Sequence, residues 1–469
     1  LNILQIEDEV SWFEGTVKPL LIEIGAKEIF HADSYDSGIQ YLQEHNIDYV
    51  VLDLAIPLNP ENPVPDVRNG LRLASYIRTE YAGTPILILT GQQTEEAVEQ
   101  FVEDQEPTTF WDGKRKSLVK VRPKRRVNEA ISLLSDAVKE LAAIDAIEIE
   151  EIGCELDYLE KRVIRIFCKE NSAIAARVKT LNDGLSTAKV LQVSLFGSSG
   201  QELPWTSLVK IDTKQKIDQE SNNFKEYVNK LDVASYPNIL NEYVAGCADK
   251  KGICYRFANH YDSNYFSHLT SNEGNTLTIL EKVRGILGTW SNNKTVKQVS
   301  VKEIRSIICP EYKFEKLAEI RQRLEIDEFE KKILNANYSI QHADLHGLNI
   351  LVSEDLNPIL IDYGDIKLAP SVLDIVTLEL SPYFHPHLSG NKAPKMELFE
   401  NWFNYENFLS LNQLPKVATF LREWKSADCF MEREYVATVY AYALRQLTHK
   451  GTNPDIATKL IEKSIAAYK

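Results

Sequence analysis

Roughly the first 120 residues alternate short apolar runs with amphipathic stretches. Asn2 to Ile6, Tyr49 to Leu54 and Pro85 to Leu89 are rich in Ile, Leu and Val, and each has the length of a strand buried on both faces. Helical patterns lie between them at Gly38 to Glu44 and Gly70 to Glu80. This βαβα order predicts a parallel, doubly wound sheet. Val127, Ile131, Leu134, Val138 and Leu141 repeat at helical spacing, with Pro123 placed as a first-turn residue. That helix closes a first domain near Ile144.

Downstream, Ala146 to Gly153 (AIEIEEIG) is acidic and reads as a linker, and Glu155 to Lys169 is a helical pattern that connects two bodies. From Arg177 to Ile211 the pattern turns to strand: RVKTL, AKVLQVSLF and SLVKI, divided by Gly-containing turns. Helical patterns dominate after Ser267, apart from a strand-rich insert at Asn349 to Tyr363. Strands first and helices later predict a two-lobed α+β domain.

A chain of 469 residues is too long for one core and suits two or three domains. No apolar run is long enough to span a bilayer, and Leu1 to Val10 is too acidic and too poor in apolar residues for a signal peptide, so a cytoplasmic location is expected. The absence of an initiator Met suggests that the numbering begins just inside the natural start. A formal charge of -15 argues against a nucleic-acid partner, because phosphate backbones attract basic surfaces. Lys114, Arg115, Lys116, Lys120, Arg122, Lys124, Arg125 and Arg126 are a local exception, read as a solvated loop and helix start or as a docking patch for an acidic partner. The six cysteines are scattered, without CxxC or metal-like His spacing, which fits buried thiols in a reducing compartment.

Glu7 and Asp8 follow the first predicted strand, and Asp53 ends the apolar run YVVLDLAIP. In a doubly wound sheet the carboxyl ends of neighbouring strands converge on one crevice. Three carboxylates there repel one another unless a hard cation joins them, and Mg²⁺ is the natural guest. Thr90 ends PILILTG and brings a hydroxyl to the same edge. These residues resemble the response-regulator receiver domain. The resemblance implies Glu7, Asp8 and Asp53 as metal ligands, Asp53 as phosphoacceptor and Thr90 as switch hydroxyl; Pro57 matches the family's D-x-x-x-P. It also implies a histidine kinase or another phosphodonor as partner, and a new charge on Asp53 that draws in Thr90 and a Lys. That Lys is left open: Lys114 preserves the usual distance from Thr90, whereas Lys120 (SLVKVRP) sits better on a strand that feeds a helix. Leu58 to Asn69 is longer than the usual loop after the acceptor strand. A homodimer through the receiver stays open.

Gln341 to Val352 reads QHADLHGLNILV. It resembles the catalytic loop of aminoglycoside phosphotransferases and choline kinases, H-x-D-x-x-x-x-N, at His342, Asp344 and Asn349. ILIDYGDI follows, with Asp362-Tyr363-Gly364 in the place of the kinase D-F-G. The resemblance implies ATP and Mg²⁺ as cofactors, Asn349 and Asp362 as metal ligands, and Asp344 as the group that orients an acceptor hydroxyl and takes its proton. His342 would support the loop. Upstream, LNDGLSTAK resembles the phosphate-covering turn, with one glycine, Gly184, and with Ser186 and Thr187 offering hydroxyls. Lys210, at the end of the predicted strand SLVKI, stands where the family has its phosphate-binding Lys, with Glu220 as its partner and Glu226 as the alternative. Asp374 and Glu379 (LDIVTLEL) read as structural supports. Phosphoryl transfer receives little covalent help, so positioning and charge neutralisation supply most of the acceleration.

The expected architecture is an α/β receiver with a doubly wound parallel five-stranded sheet, residues 1–144, followed by an α+β two-lobed protein-kinase-like domain. A linker with a helix (145–176) precedes an N-lobe (177–265) and a C-lobe (266–469). The expected function is a two-component response regulator whose output is an ATP-dependent phosphotransferase acting on a hydroxyl acceptor, a protein or a small molecule, under control of Asp53. The alternative is an ATP-binding pseudokinase that relays the receiver's state without catalysis. A third reading, an antibiotic-modifying enzyme for polycations, calls for an acidic pocket. Asn391 to Tyr435 is instead nearly balanced, with Glu397 and Glu400 set against Lys392 and Lys395. Trp402, Phe403, Tyr405 and Phe408 line an acceptor pocket or pack in the core, and core packing is favoured.

Overall fold

The computed structural model describes residues 1–91, 106–181, 188–257, 261–385, 388 and 395–468. The first sheet is built from β1 (Asn2–Ile6), β2 (Glu28–Ala32), β3 (Tyr49–Leu52) and β4 (Ile86–Thr90). β5 (Thr108–Thr109) and β6 (Arg115–Lys116) form a short antiparallel hairpin outside it, and β7 (Val119–Pro123) returns to it. The order is β2-β1-β3-β4-β7, and every pairing is parallel. β3 and β4 are buried at every residue, as continuous apolar runs require of central strands. Parallel neighbours need crossovers, and among the described residues helices supply those from β2 to β3 and from β3 to β4. Tyr35–Glu44 opens with a Ser34–Ser37 capping box, and Val67–Glu80 is capped by Asp66. Pro123 ends β7 and does not open a helix, because one 3₁₀ turn, Lys124–Arg126, comes before Val127–Asp145.

A six-stranded sheet follows: β8 (Glu148–Ile152), β9 (Ala175–Thr180), β10 (Lys189–Phe196), β11 (Thr206–Thr213), β12 (Asn238–Tyr243) and β13 (Lys250–Phe257). Its order is β12-β13-β11-β10-β9-β8, antiparallel except where β8 runs parallel to β9. The linker reading of 145–176 is therefore corrected. Its acidic stretch is an edge strand, with Glu150 paired to Arg177 at 2.7 Å. The helix Tyr158–Glu170 is the crossover that the parallel pair needs, opened by an Asp157–Glu160 capping box.

Residues 1–218 and 238–257 form one compact unit; 219–237 and 258–469 form a second, with the boundary inside the helix Lys214–Glu226. The receiver and the six-stranded sheet thus lie in the same unit and share one hydrophobic core. Trp111, Leu134 and Leu141 belong to the same cluster as Val163, Phe167, Leu191 and Tyr243. Arg162 donates to Asp48 and to the Gly246 carbonyl, both at 2.7 Å, and Trp111 Nε1 donates to the Ala245 carbonyl at 2.9 Å. Gly246 has φ +72°, and a Cβ there would meet the Trp111 indole at 2.6 Å, so only glycine fits. Position 144 is a boundary of topology and not of packing.

The second unit carries the long helices Glu273–Ser291, Leu373–Phe384, Pro415–Asp428, Glu432–Leu447 and Pro454–Ala467. Its strands are β14 (Ser263–Asn264), β15 (Thr295–Ser300), β16 (Ile333–Gln341), β17 (Ile350–Val352), β18 (Pro358–Leu360) and β19 (Lys367–Pro370), in two sheets ordered β14-β17-β18 and β15-β16-β19. Trp402 and Phe408 are fully buried in its core, Phe403 packs at the core's edge and Tyr405 is exposed. Among the described residues no helix is long and apolar enough to cross a membrane. All six cysteines are free thiols, and Cys168, Cys247, Cys254 and Cys309 are buried. The basic run is divided among the turn before β6, β6, β7 and the turn after it. Lys116 is spent on Asp112 and Glu140, which breaks the patch.

Candidate functional site

The all-parallel order sets the carboxyl ends of β1, β3, β4 and β7 along one edge. Glu7 and Asp8 follow β1, Asp53 follows β3 and Thr90 ends β4. Glu7, Asp8 and Asp53 each offer an oxygen within 4.8 Å of the others. Glu7 and Asp53 are buried and Asp8 is half-buried. Burial, with Asp53 close by, pushes the Glu7 carboxyl up to about 7 against the pull of Lys124. A cluster of oxygen donors with one member open to solvent fits a hard divalent cation.

Lys124 completes this cluster, with Nζ 2.7 Å from both the Glu7 and the Asp53 carboxylates and 4.6 Å from the Trp12 ring centroid. The reading of Lys114 or Lys120 as the receiver lysine is therefore corrected. Lys114 is exposed on the turn between β5 and β6. Lys120 lies within β7 opposite Leu87, among Lys116, Glu140 and Arg122. Spacing from Thr90 failed as a cue because the hairpin lengthens the chain between β4 and β7, and Lys124 stands one residue beyond the strand.

In the second unit, β16 delivers the loop that carries His342, Asp344 and Asn349. The Asp374 carboxylate accepts the backbone N–H groups of His342 and Ala343, both at 2.8 Å, and Asp374 N–H donates to Gln341 Oε1 at 3.0 Å. His342 Nε2 lies 3.0 Å from the Ile361 carbonyl. His342 and Asp374 thus tie together the two loops that carry Asp344 and Asp362. Ala343 (φ +65°) and Asp362 (φ +68°) are both held in the left-handed region, a conformation that costs free energy for residues other than glycine.

The β17–β18 hairpin sets Ile350 opposite Leu360, and Ile361 N–H donates to the Asn349 carbonyl at 3.1 Å. Asn349 and Asp362 therefore flank the base of one hairpin. Asn349 Nδ2 donates to the Asp344 carbonyl at 2.9 Å, while its buried Oδ1 has no hydrogen-bond partner among the described residues. An orphaned amide oxygen at the base of the hairpin that leads to Asp362 fits a cation as its missing partner. Arg445 Nη2 donates to Asp344 Oδ1 at 2.8 Å, and His346 Nε2 lies 3.7 Å from Oδ2. Burial alone would raise the Asp344 carboxyl; Arg445, with His346 and His342, more than offsets this and holds it well below the usual carboxylate range. Arg445 was missed because it comes 101 residues after Asp344, on a helix whose pattern carries no motif.

The turn after Asp362 is fastened to the helix Lys214–Glu226. Asn223 Nδ2 donates to the Tyr363 carbonyl at 2.8 Å and Gln219 Nε2 to the Gly364 carbonyl at 2.9 Å, while Phe224 meets the Tyr363 ring edge-on at 5.8 Å. Glu220 is buried on this helix and Glu226 is exposed. Lys210 is buried in the middle of β11, opposite Val190 of β10 and Ile253 of β13. Gly184, Ser186 and Thr187 lie outside the described residues. Glu379 is a packing support: Arg422 Nε donates to it, and Tyr435 OH donates at 2.7 Å.

Residues 3–106 match the family model of the response regulator receiver domain. No curated protein sequence matches the chain. Similar solved structures include a thermostable mutant of aminoglycoside phosphotransferase APH(4)-Ia in ternary complex with ADP and hygromycin B, at 10% identity and TM-score 0.39, covering 62% of this chain and 93% of that one. An aminoglycoside-3'-phosphotransferase of type VIII has 13% identity and TM-score 0.37, with 62% and 98% covered. Choline kinase LicA from Streptococcus pneumoniae has 14% identity and TM-score 0.34, with 66% and 100% covered. At such identities the chemistry has to be read from this chain's own residues.

Proposed function

We propose that this chain is a response regulator whose output domain transfers a phosphoryl group from ATP to a hydroxyl acceptor, under control of phosphorylation at Asp53 by a histidine kinase or another phosphodonor. One observation supports the catalytic half: among the described residues the buried Asn349 Oδ1 lacks a partner at the base of the hairpin that also presents Asp362. Asn349 and Asp362 would hold Mg²⁺, which when bound neutralises charge on the nucleotide phosphates. Asp344 would accept the acceptor's hydroxyl proton as the acceptor oxygen bonds the transferred phosphorus and ADP leaves. Lys210 is assigned the phosphate-binding role from motif order, with Glu220, the buried candidate, as its partner. In the receiver, Glu7, Asp8 and Asp53 would hold a second Mg²⁺, and Lys124 would pair with a phosphoryl oxygen on Asp53. The free cysteines suit a reducing compartment, hence the cytoplasm.

The test is ATP consumption over an acceptor screen, with and without acetyl phosphate or beryllofluoride. Asp344→Ala and Asp362→Ala abolish turnover, and Asp53→Asn removes the response to the phosphodonor. Wild-type turnover in the first two variants rules the reading out. A second reading, a nucleotide-binding module that relays receiver state without catalysis, draws on the ion pair that already engages Asp344. Nucleotide binding without turnover across the screen selects it.

A further inference from the structure

Next to the catalytic loop, the second unit holds a cavity of about 1230 Å³. This is somewhat above the roughly 300–1,000 Å³ usual for small-molecule sites. Leu378, Phe384, Phe408 and Ala418 give it apolar walls. Two charged residues, Glu379 and Lys395, are found among its described lining. Glu379 is already committed to Arg422 and Tyr435, and is not free to meet an incoming cation.

The hydroxyl groups around the cavity are mostly satisfied within the protein. Thr270 donates to the Ser267 carbonyl at 3.1 Å, Ser410 to Asn407 at 2.8 Å and Thr452 to Gln446 at 2.7 Å. Tyr265 differs. It lines the cavity, it is fully buried, and its hydroxyl has no hydrogen-bond partner among the described residues. Burial pushes its pKa up, so it stays a neutral donor. A buried donor without a partner costs free energy that a ligand oxygen recovers.

The cavity is joined to the candidate base by neighbouring residues. Phe266, the residue after Tyr265, packs so closely on Gly347 of the catalytic loop that a Cβ at 347 would lie 2.3 Å from its ring. Phe384 lines the cavity, and the next residue, His385, lies 5.2 Å from the Phe266 ring and 5.6 Å from the His346 ring. His346 in turn stands 3.7 Å from Asp344.

We propose that this cavity is the acceptor site and that it takes an uncharged alcohol with an apolar, polycyclic or macrocyclic body and an oxygen that accepts from Tyr265. The assignment as acceptor site rests on the phosphotransferase reading above. A polycation is disfavoured because Asn412, Gln413 and Asn453 supply only neutral polar groups to the described lining and its one carboxylate, Glu379, is already paired, and buried charge is costly unless paired.

Full-length protein titrated with Nile red, an uncharged polycyclic probe bearing a carbonyl oxygen, and separately with the polycation kanamycin, tests this. Nile red should bind saturably and kanamycin should not. Tyr265→Phe removes one hydroxyl and almost no volume, and should weaken Nile red binding roughly tenfold. Ala418→Trp puts an indole into the cavity and should weaken it further; if that variant does not fold, Tyr265→Phe alone decides. Equal Nile red binding by wild type and Tyr265→Phe, or saturable kanamycin binding that Ala418→Trp removes, overturns the proposal. ATP turnover without Nile red binding overturns it too and leaves the phosphotransferase reading standing. Nile red binding without turnover on any acceptor sinks the phosphotransferase reading, and with it the word acceptor, but not the ligand class.

Discussion

Lys124 places its ammonium 2.7 Å from the Asp53 carboxylate, although it follows the last strand of the receiver sheet and is separated from that strand's end by no regular structure of its own. The same nitrogen is 2.7 Å from Glu7. A cation so placed pairs with the bare carboxylate and, on the proposed phosphorylation of Asp53, would pair with a phosphoryl oxygen. Removing it should cost a charge-assisted hydrogen bond, about 1.5–3 kcal/mol, or roughly ten- to a hundredfold in the response to beryllofluoride. Lys124→Ala is expected to lose that response, read by tryptophan fluorescence because Trp12 lies against the ammonium. Lys114→Ala and Lys120→Ala are expected to keep it. The reverse pattern would return the role to the strand or hairpin lysine.

Asp48 and Arg162 join the start of a receiver strand to the helix beside the six-stranded sheet. Arg162 is almost wholly buried, and Asp48 also accepts from Asn2 N–H at 2.8 Å and from the Tyr158 hydroxyl. Truncating one partner leaves a buried charge uncompensated, which costs on the order of 3–5 kcal/mol. Asp48→Ala should lower the unfolding free energy of the first unit, measured by urea titration, by that amount, and Asp48→Ala with Arg162→Met should recover part of it. A fragment ending at residue 144 should aggregate or unfold, because Trp111 and Leu134 lose the partners with which they share a core. A fragment as stable as the intact unit would show that the shared core contributes nothing.

The elements that were legible in sequence are those decided locally. β1, β3 and β4 stand out because both faces are buried, and Asn349 and Asp362 stand out because one hairpin of a few residues positions them. β2 and β7 are edge strands, half exposed, and carry no long apolar run. β8 hid behind its charges, since an edge strand paired through Glu150 and Arg177 resembles a solvated connector until its neighbour is known. The union of receiver and sheet in one core could not be read from composition, since Trp111 and Ala245 are 134 residues apart. Lys124 and Arg445 share that difficulty: each acts on a carboxylate more than seventy positions away, and no periodicity records such a pairing.

Glu434 opens the helix Glu432–Leu447 and is fully buried. Its Oε2 accepts the N–H groups of Asn337 at 2.9 Å and Phe430 at 2.8 Å, and its Oε1 has no hydrogen-bond partner among the described residues. Burial pushes the carboxyl from 4.5 up to about 7 despite those donors. Between these values the folded chain keeps a proton that the unfolded chain has released. Stability therefore falls as pH rises through this window and the loss is complete above about 7. The loss is on the order of 3 kcal/mol. Glu434→Gln keeps an accepting oxygen and removes the titration. The difference between variant and wild type in urea unfolding should grow in the variant's favour from pH 5 to pH 8. A difference that does not change with pH would mean that Glu434 is ionised across the whole range.

In the proposed reaction Asp344 is the base, and its ion pair with Arg445 sets its strength. With the guanidinium 2.8 Å away, Asp344 stays ionised throughout the physiological range, ready to orient a hydroxyl but weakly basic. Such a base suits a loose transition state in which the proton leaves late. Arg445→Met keeps the stem of the side chain and removes its charge. Burial then acts on Asp344 with only His342 and His346 to oppose it, and the carboxyl should rise by about one to three pH units. The acid limb of kcat against pH should move up by the same amount, so that activity at pH 6 falls more than activity at pH 8. A uniform loss at every pH would show that Arg445 only positions the loop through its 3.2 Å bond to the Ala343 carbonyl. If no variant or wild-type profile shows an acid limb assigned to Asp344, and nucleotide still binds, the ion pair marks a relay module and not a catalyst.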